Sequence, residues 1–523
     1  MTETSLFKKI GIASFIMMAS VFLSRVLGLF REMAIAYSGG VKGCVDAYQI
    51  AFVIPEILNH VVASGFLSIT FIPIFTHYLA KNNEDEGWKV FSIIFNTFGL
   101  ILLIFIVISF IFAPELVKIL APGIKDPLLF NNAVKMTRII IPAQFFFFTG
   151  GLFMAVQFAK EKFLIPALAP LIYNAGIIAG GTLLSPWLGM EGFAWGVLAG
   201  AFLGNFLIQM LGAKRVNLKF HFILGIKHPD LKKYIVLTIP LMIGLTMTFS
   251  TEIFLKFFGS FLDNGSIAAL NYALRIMFIL VGLFGQAVGV ASYPFMAKLA
   301  EKGELVQLNN LLNNTLKFLL LVIPFSVLFM VLKYEIIVMI FQRGQFDSNA
   351  TALTSSILPF IMAGTFAYSA QTVVARGFYA NSNTLLPAIF GTIAVILSIP
   401  LFYIFMKMFQ ARGIGLALSL SAVIQTIILF EIWNYKTQNI GKKGVYKFFI
   451  RISFLSIVIG IILWQITLFF QGMFDNTSFS GALSISIITG ATFLILISAA
   501  CFIFKIEEFF ILTQKIKKKI GSK

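Results

Sequence analysis

"GIASFIMMASVFLSRVLGLFREMAIAY" runs from Gly11 to Tyr37. As a helix it is long enough to cross a hydrocarbon core of roughly 30 Å, which takes about 20 apolar residues. Yet Arg25, Arg31 and Glu32 lie inside it. A charge at the bilayer centre costs roughly 3 kcal/mol on insertion scales, so such residues call for partners or water. Arg25 falls near mid-membrane, and Arg31 about 9 Å farther along at 1.5 Å per residue. Arg25 and Glu32 are seven positions apart and share a helix face, while Arg31 points away. The run begins after Lys8 and Lys9, as a signal peptide does. Its length, its charges and the lack of a small-residue cleavage site make it a retained span instead.

The pattern recurs along all 523 residues, of which 59% are hydrophobic and only 12% charged. With a mean hydropathy of +0.93, the chain reads as an all-α integral membrane protein. Fourteen apolar runs of helix length succeed one another, from 11–36 to 481–504. Strand-length alternation is absent, which excludes a β-barrel reading. Lys and Arg concentrate in the loops on one side when the N-terminus is cytoplasmic, chiefly Lys214 to Lys233, Lys436 to Arg451 and Lys515 to Lys519. That bias sets topology and explains the net charge of +18 without nucleic acid. An even number of spans puts both termini inside.

Chemistry-bearing motifs are missing. Cys44 and Cys501 form no framework, and the four histidines have no ligand spacing. There is no GxxxxGK[ST], HExxH or GxSxG, so the reading is not an enzyme and needs no cofactor or metal. Without an ATPase motif, any driving energy comes from a gradient, the membrane potential or the substrate's own concentration difference. The acidic stretch Glu84 to Glu86 reads as a solvated loop.

The chain repeats with a shift of about 221 residues. Pro73 in "FIPIFTHYLAK" falls on Pro294 in "SYPFMAKLAEK", and Pro166 in "LIPALAP" on Pro387 in "LLPAIFG". Gly123 falls on Gly344, and Gly192 on Gly413. Each copy holds six runs, and six is even, so both copies enter from the same side. The expected plan is two six-helix lobes as parallel repeats about an axis along the membrane normal, which is transporter-like. The expected domains are 1–212, 213–433 and 434–523, the last carrying helices 13 and 14 and a basic tail.

The eighth run brings Arg275, in "NYALRIMF", to a depth similar to that of Arg31. The repeat lays Arg31 on Glu252, a cation on an anion, and Lys256 follows Glu252 by one helical turn. Local pairing, Arg25 with Glu32 and Lys256 with Glu252, or snorkelling towards headgroups is the structural alternative. Arginine's planar fork suits phosphate and carboxylate, so a wet cavity lined by Arg25, Arg31 and Arg275 points to an anionic, phosphorylated ligand.

"ASVFLSRVLGLFREMAIAYSGGVKGCVDAYQIAFVIPEIL" resembles the opening of the MurJ/MviN family, the lipid II flippases of the MOP exporter superfamily. "FLIPALAPLIYN", "NYALRIMFILVGLFGQAVGVASYPFMAKLA" and "FQRGQFDSNAT" followed by "ARGFYANSNTLLPA" extend the resemblance over helices 1 to 12. The resemblance implies fourteen helices and alternating access in the bacterial inner membrane. It implies passage of undecaprenyl-pyrophosphate-linked peptidoglycan precursor, lipid II, from the cytoplasmic to the outer leaflet. It further implies that Arg25, Arg31 and Arg275 hold the pyrophosphate, that Glu32 stands at a usual acidic position, and that Asp46 matches a family aspartate at the outer end of helices 1 and 2. Helices 13 and 14 would guide the polyprenyl tail, and membrane lipids and cell-wall synthesis proteins are the expected further partners.

One departure concerns helix 2. Where the family commonly carries Arg-Arg, or one Arg, this chain has Asn59 and His60, and Ser64 and Phe278 replace residues that are often acidic. His60, with an ordinary pKa near 6.5, could supply part-time positive charge or serve as a neutral packing residue. The competing readings are a MOP-type exporter of another polyprenyl-linked oligosaccharide or of a drug, and a non-transporting scaffold that recruits cell-wall enzymes through its basic loops.

Overall fold

The computed structural model describes residues 3–58, 66–244 and 246–504. Asn59, His60 and Ser64, and the basic tail Lys515 to Lys519, lie outside the described residues. Every regular element among the described residues is a helix. A helix satisfies its own backbone hydrogen bonds, which a bilayer core demands of anything that crosses it. Ten helices are long and apolar enough to span, or eleven if Ser348–Met362 and Thr365–Ala380, bent by 43°, form one span. The 53-residue helix Leu385–Thr437 contains a break at Gln410, whose φ is 54°. Large apolar side chains stay exposed along these helices, for example Leu100, Ile104 and Ile111 of Glu84–Ile111. Against lipid such a face is no liability. Side-chain caps sit at helix starts: Asp126 accepts from the Leu128 amide and Asp347 from the Ala350 amide.

The chain divides into two compact units. The first comprises residues 1–268 with 343–346. Its tightest packing joins Leu164–Leu188 to Glu191–Gly200, and the sequence reason is glycine at four-residue spacing on both helices. A Cβ on Gly180 would lie 2.4 Å from the Gly196 Cα, and one on Gly176 would lie 2.5 Å from the Gly200 Cα. Such contact is open only to small residues, the device by which helices associate where burial supplies no driving force. The long first helix, Glu3–Gly39, lies against Leu164–Leu188. That contact places the charged stretch of the opening sequence beside Asn174.

The second unit comprises residues 269–342 and 347–523. Its last two long helices, Lys442–Gln471 and Phe479–Ile503, pack on each other and on Val322–Val331 and Lys333–Ile340. Polar residues join helices here as well. Trp433 donates to Asn309 at 2.9 Å, Asn313 and Asn439 exchange amide bonds at 2.8 and 2.9 Å, and Gln471 donates to Glu335 at 2.6 Å. Ser266–Leu280 runs into a π-helical stretch, Val281–Gln286.

Candidate functional site

Charged candidate residues come together in the first unit. Arg31 donates from Nη2 to Glu32 Oε1 at 2.8 Å and from Nη1 to Asn174 Oδ1 at 3.1 Å. Asn174 donates in turn to the Pro170 carbonyl at 2.9 Å and to Ser24 Oγ at 3.4 Å. The amide is thus oriented with its oxygen towards the guanidinium. Glu32 meets its chain neighbour Arg31 as well as sharing a helix face with Arg25. Adjacent Cβ atoms diverge by about 100° on a helix, but the long arginine bridges that angle. The Arg31 side chain keeps 22% of its surface exposed, so the ion pair is not sealed.

The second group shuts its cation away, while Glu56 keeps 34% and Glu252 19% of its side chain exposed. The Lys256 side chain is 2% exposed, with Nζ 3.3 Å from Glu252 Oε2 and 3.6 Å from Glu56 Oε2. Lys256 does not snorkel. It is neutralised within its own helix, Thr246–Gly259, and by a carboxylate from Val53–Leu58. A buried ammonium between two carboxylates is costly to open, because its removal sets two like charges against each other.

Asp46, at the start of Gly43–Ala51, is buried and turns outward to another chain segment. Its Oδ2 accepts the Gly265 amide at 2.5 Å and its Oδ1 the Ala268 amide at 2.7 Å. These amides open the helix Ser266–Leu280, where a carboxylate meets both unpaired N–H groups and the positive end of the helix dipole. Gly265 allows this approach: its φ is +95°, and a Cβ there would lie 2.4 Å from the Val41 carbonyl oxygen. A cavity of about 300 Å³ adjoins Asp46, lined among others by Lys125, Asp126, Ser260, Asp263 and Asn264.

The remaining expected residues are distributed as follows. Arg25 is exposed on Glu3–Gly39, and Arg275 is half-buried on Ser266–Leu280, in the second unit. Asn59 and His60 fall outside the described residues. Two participants escaped the sequence reading. Asn174 is a lone amide in an apolar helix, which was its only signal. Glu56 follows Pro55 in "IPEIL", next to the departure at Asn59 and His60.

The family profile described as "Lipid II flippase MurJ" matches residues 35–484. The chain belongs to the MurJ family. A MurJ relative from Buchnera aphidicola subsp. Baizongia pistaciae is 27% identical over 447 residues, 85% of this chain and 87% of the relative. The lipid II flippase MurJ of Burkholderia cenocepacia is 26% identical over 458 residues, 84% of this chain and 87% of its own length. A solved structure described as lipid II flippase MurJ in an inward closed conformation superposes with a TM-score of 0.75 at 26% identity. It covers 94% of this chain and 99% of that one. An inward-facing multidrug-resistance MATE transporter of the MOP superfamily superposes at 0.67 and 13% identity, over 80% of this chain and 96% of that one, a likeness of fold. MurJ membership gives the fold its frame: an all-helical membrane protein of the MOP type.

Proposed function

We propose that this protein translocates lipid II from the inner to the outer leaflet of the bacterial inner membrane. The observation that carries the reading is the MurJ match over residues 35–484, with Arg31 held half-open in the first unit. The protein is a transporter rather than a catalyst. In this reading Arg25, Arg31 and Arg275 grip the pyrophosphate, with Glu32 and Asn174 holding the Arg31 fork in position. A diphosphate brings acceptor oxygens that match guanidinium forks, and charge-assisted bonds of this kind are about twice as strong as neutral ones. Asn59 and His60 stand near the same substrate in place of family arginines.

Alternating access supplies the transport. Asp46 acts at the outer end, where its bonds to the Gly265 and Ala268 amides form in one access state and break in the other. Glu252 is the second gating residue: an anionic pyrophosphate competes with it for Arg31, which couples binding to reorientation. Fourteen spans fit this plan. To the eleven counted by length and apolarity, the break at Gln410 adds one. The other two fall on 43–80 and 229–259, each of which includes residues outside those described. The lobes are 1–212 and 213–433, with 434–523 guiding the polyprenyl tail and both termini cytoplasmic. Cell-wall synthesis proteins are the partners expected at the basic inner loops. The MOP-exporter alternative has weaker support, since the cation-rich cavity disfavours a cationic drug.

The test is a leaflet assay in cells depleted of this protein. Externally accessible lipid II is expected to fall while total lipid II rises, and re-expression should restore both. Unchanged outer-leaflet lipid II after depletion would contradict the function.

A further inference from the structure

Between the helices Ile208–Lys214 and Pro229–Gly244 the chain runs without regular structure from 218 to 225. This segment lies along the helix Glu84–Ile111. The His221 amide donates to Ser92 Oγ at 3.0 Å, and Asn96 Nδ2 donates to the carbonyls of His221 and Ile223 at 2.9 and 3.1 Å. Phe220 packs edge-on against Phe95 with centroids 5.3 Å apart, and Gly225 lies against Ile93. Ser92 and Asn96 are polar residues past the charged first turns of this helix, and their use is now plain. Irregular backbone at membrane depth needs partners for its polar groups, and these two side chains supply them.

The depth follows from helix rise. Glu84 to Glu86 begin the helix in water, so Ser92 and Asn96 lie roughly 12 and 18 Å farther along it. The segment is therefore carried to the boundary of headgroups and acyl chains. There it turns apolar side chains outward: Phe222 is 96% exposed, Ile226 77% and Leu224 59%. Basic residues flank these on both sides. Lys214, Arg215, Lys219, Lys227, Lys232 and Lys233 are all exposed, and Lys219 pairs with Asp85. An apolar face bedded at the interface and a basic fringe are the two components of a surface anchor for an anionic leaflet.

We propose that residues 218–227 form an interfacial anchor that beds Phe222, Leu224 and Ile226 in the cytoplasmic leaflet and gathers anionic phospholipid, phosphatidylglycerol, around its basic fringe. The inference does not depend on the transported substrate. The segment tethers the chain at the junction between the two expected lobes, so its lipid contacts bear on the point where one lobe hands over to the other.

The test uses the full chain in vesicles, with Cys44 and Cys501 replaced by serine and a bimane label on Phe222→Cys. Brominated acyl chains are introduced on phosphatidylglycerol or on phosphatidylcholine at equal mole fraction. Both should quench the label, and brominated phosphatidylglycerol should quench better by about fivefold in local concentration, the enrichment given by one basic side chain at an anionic surface. Replacing Lys214, Arg215, Lys227, Lys232 and Lys233 with glutamine should bring the ratio to one while leaving helix content and monodispersity intact. Absence of quenching by either lipid would overturn the anchor and place Phe222 in water or on a protein partner. Equal quenching by both lipids in the unsubstituted chain would overturn the anionic preference.

Discussion

Arg31 and Lys256 are both carboxylate-paired cations of the first unit, and they are held in opposite ways. Lys256 is a point charge shared between two carboxylates and closed off, with 2% of its side chain exposed. Arg31 has one carboxylate and one amide, and 22% of its side chain stays open. The lysine arrangement is complete in itself. The arginine arrangement holds a planar fork at a fixed angle and leaves part of it accessible. A membrane protein can separate structure from binding in this way: a cation shut away between carboxylates supports packing, and a cation left partly exposed can receive an anion.

Removing the closed cation should have the largest effect. Lys256→Met takes the shared cation from Glu56 and Glu252, and the expected loss of stability is about 1.5–3 kcal/mol, read by thermal unfolding in detergent. Adding Glu56→Gln and Glu252→Gln should restore most of it. If Lys256→Met melted like the unsubstituted protein, the contrast between closed and open groups would collapse.

The open cation should matter to transport and little to folding. Arg31→Ala is expected to cut lipid II flipping about 100-fold, with a melting temperature close to the original. Lysine at this position should rescue only in part, since it lacks the fork. Asn174→Ala removes one hydrogen bond that orients the fork, and should cost about fivefold in flipping. A large stability loss in Arg31→Ala would make this group structural after all.

Glu252 tests whether the two groups communicate. Glu252→Gln should shift the accessibility of cysteines placed at the inner and outer cavity mouths, and the shift should vanish in an Arg31→Ala background. An equal shift in both backgrounds would confine Glu252 to neutralising Lys256. The smallest effect is expected at the exposed pair of Lys219 and Asp85. Asp85 raises the Lys219 pKa above its ordinary value. A raised lysine pKa adds stability that is full below the unfolded value and is lost only as pH climbs through the folded one. Because the pair is exposed, Lys219→Gln should lower the melting temperature only slightly at pH 7, where that contribution is full, and the difference should vanish above the lysine range.

What could be read in the sequence followed from local rules. Apolar runs of spanning length announced the helices, and the one-turn spacing of Glu252 and Lys256 announced their pairing. Contacts across the chain could not be read this way. Asn174 meets Arg31 over 143 positions, and nothing in "LIYNAG" names its partner. Glu56 reaches Lys256 only because two helices pack there. Glu32 shares a face with Arg25, yet a flexible side chain also bridges to its neighbour Arg31, and Cβ direction does not fix where charged tips meet. Ser92 and Asn96 were invisible for another reason: their partners are backbone groups of a segment with no pattern of its own.

The central claim is that an arginine held half-open by Glu32 and Asn174 handles a pyrophosphate lipid on its way across the membrane. The most direct measurement compares the outer-leaflet lipid II of depleted cells carrying the unsubstituted chain, Arg31→Lys or Arg31→Ala at matched membrane levels. The account predicts full, partial and near-zero recovery in that order. Full recovery with Arg31→Ala would contradict it.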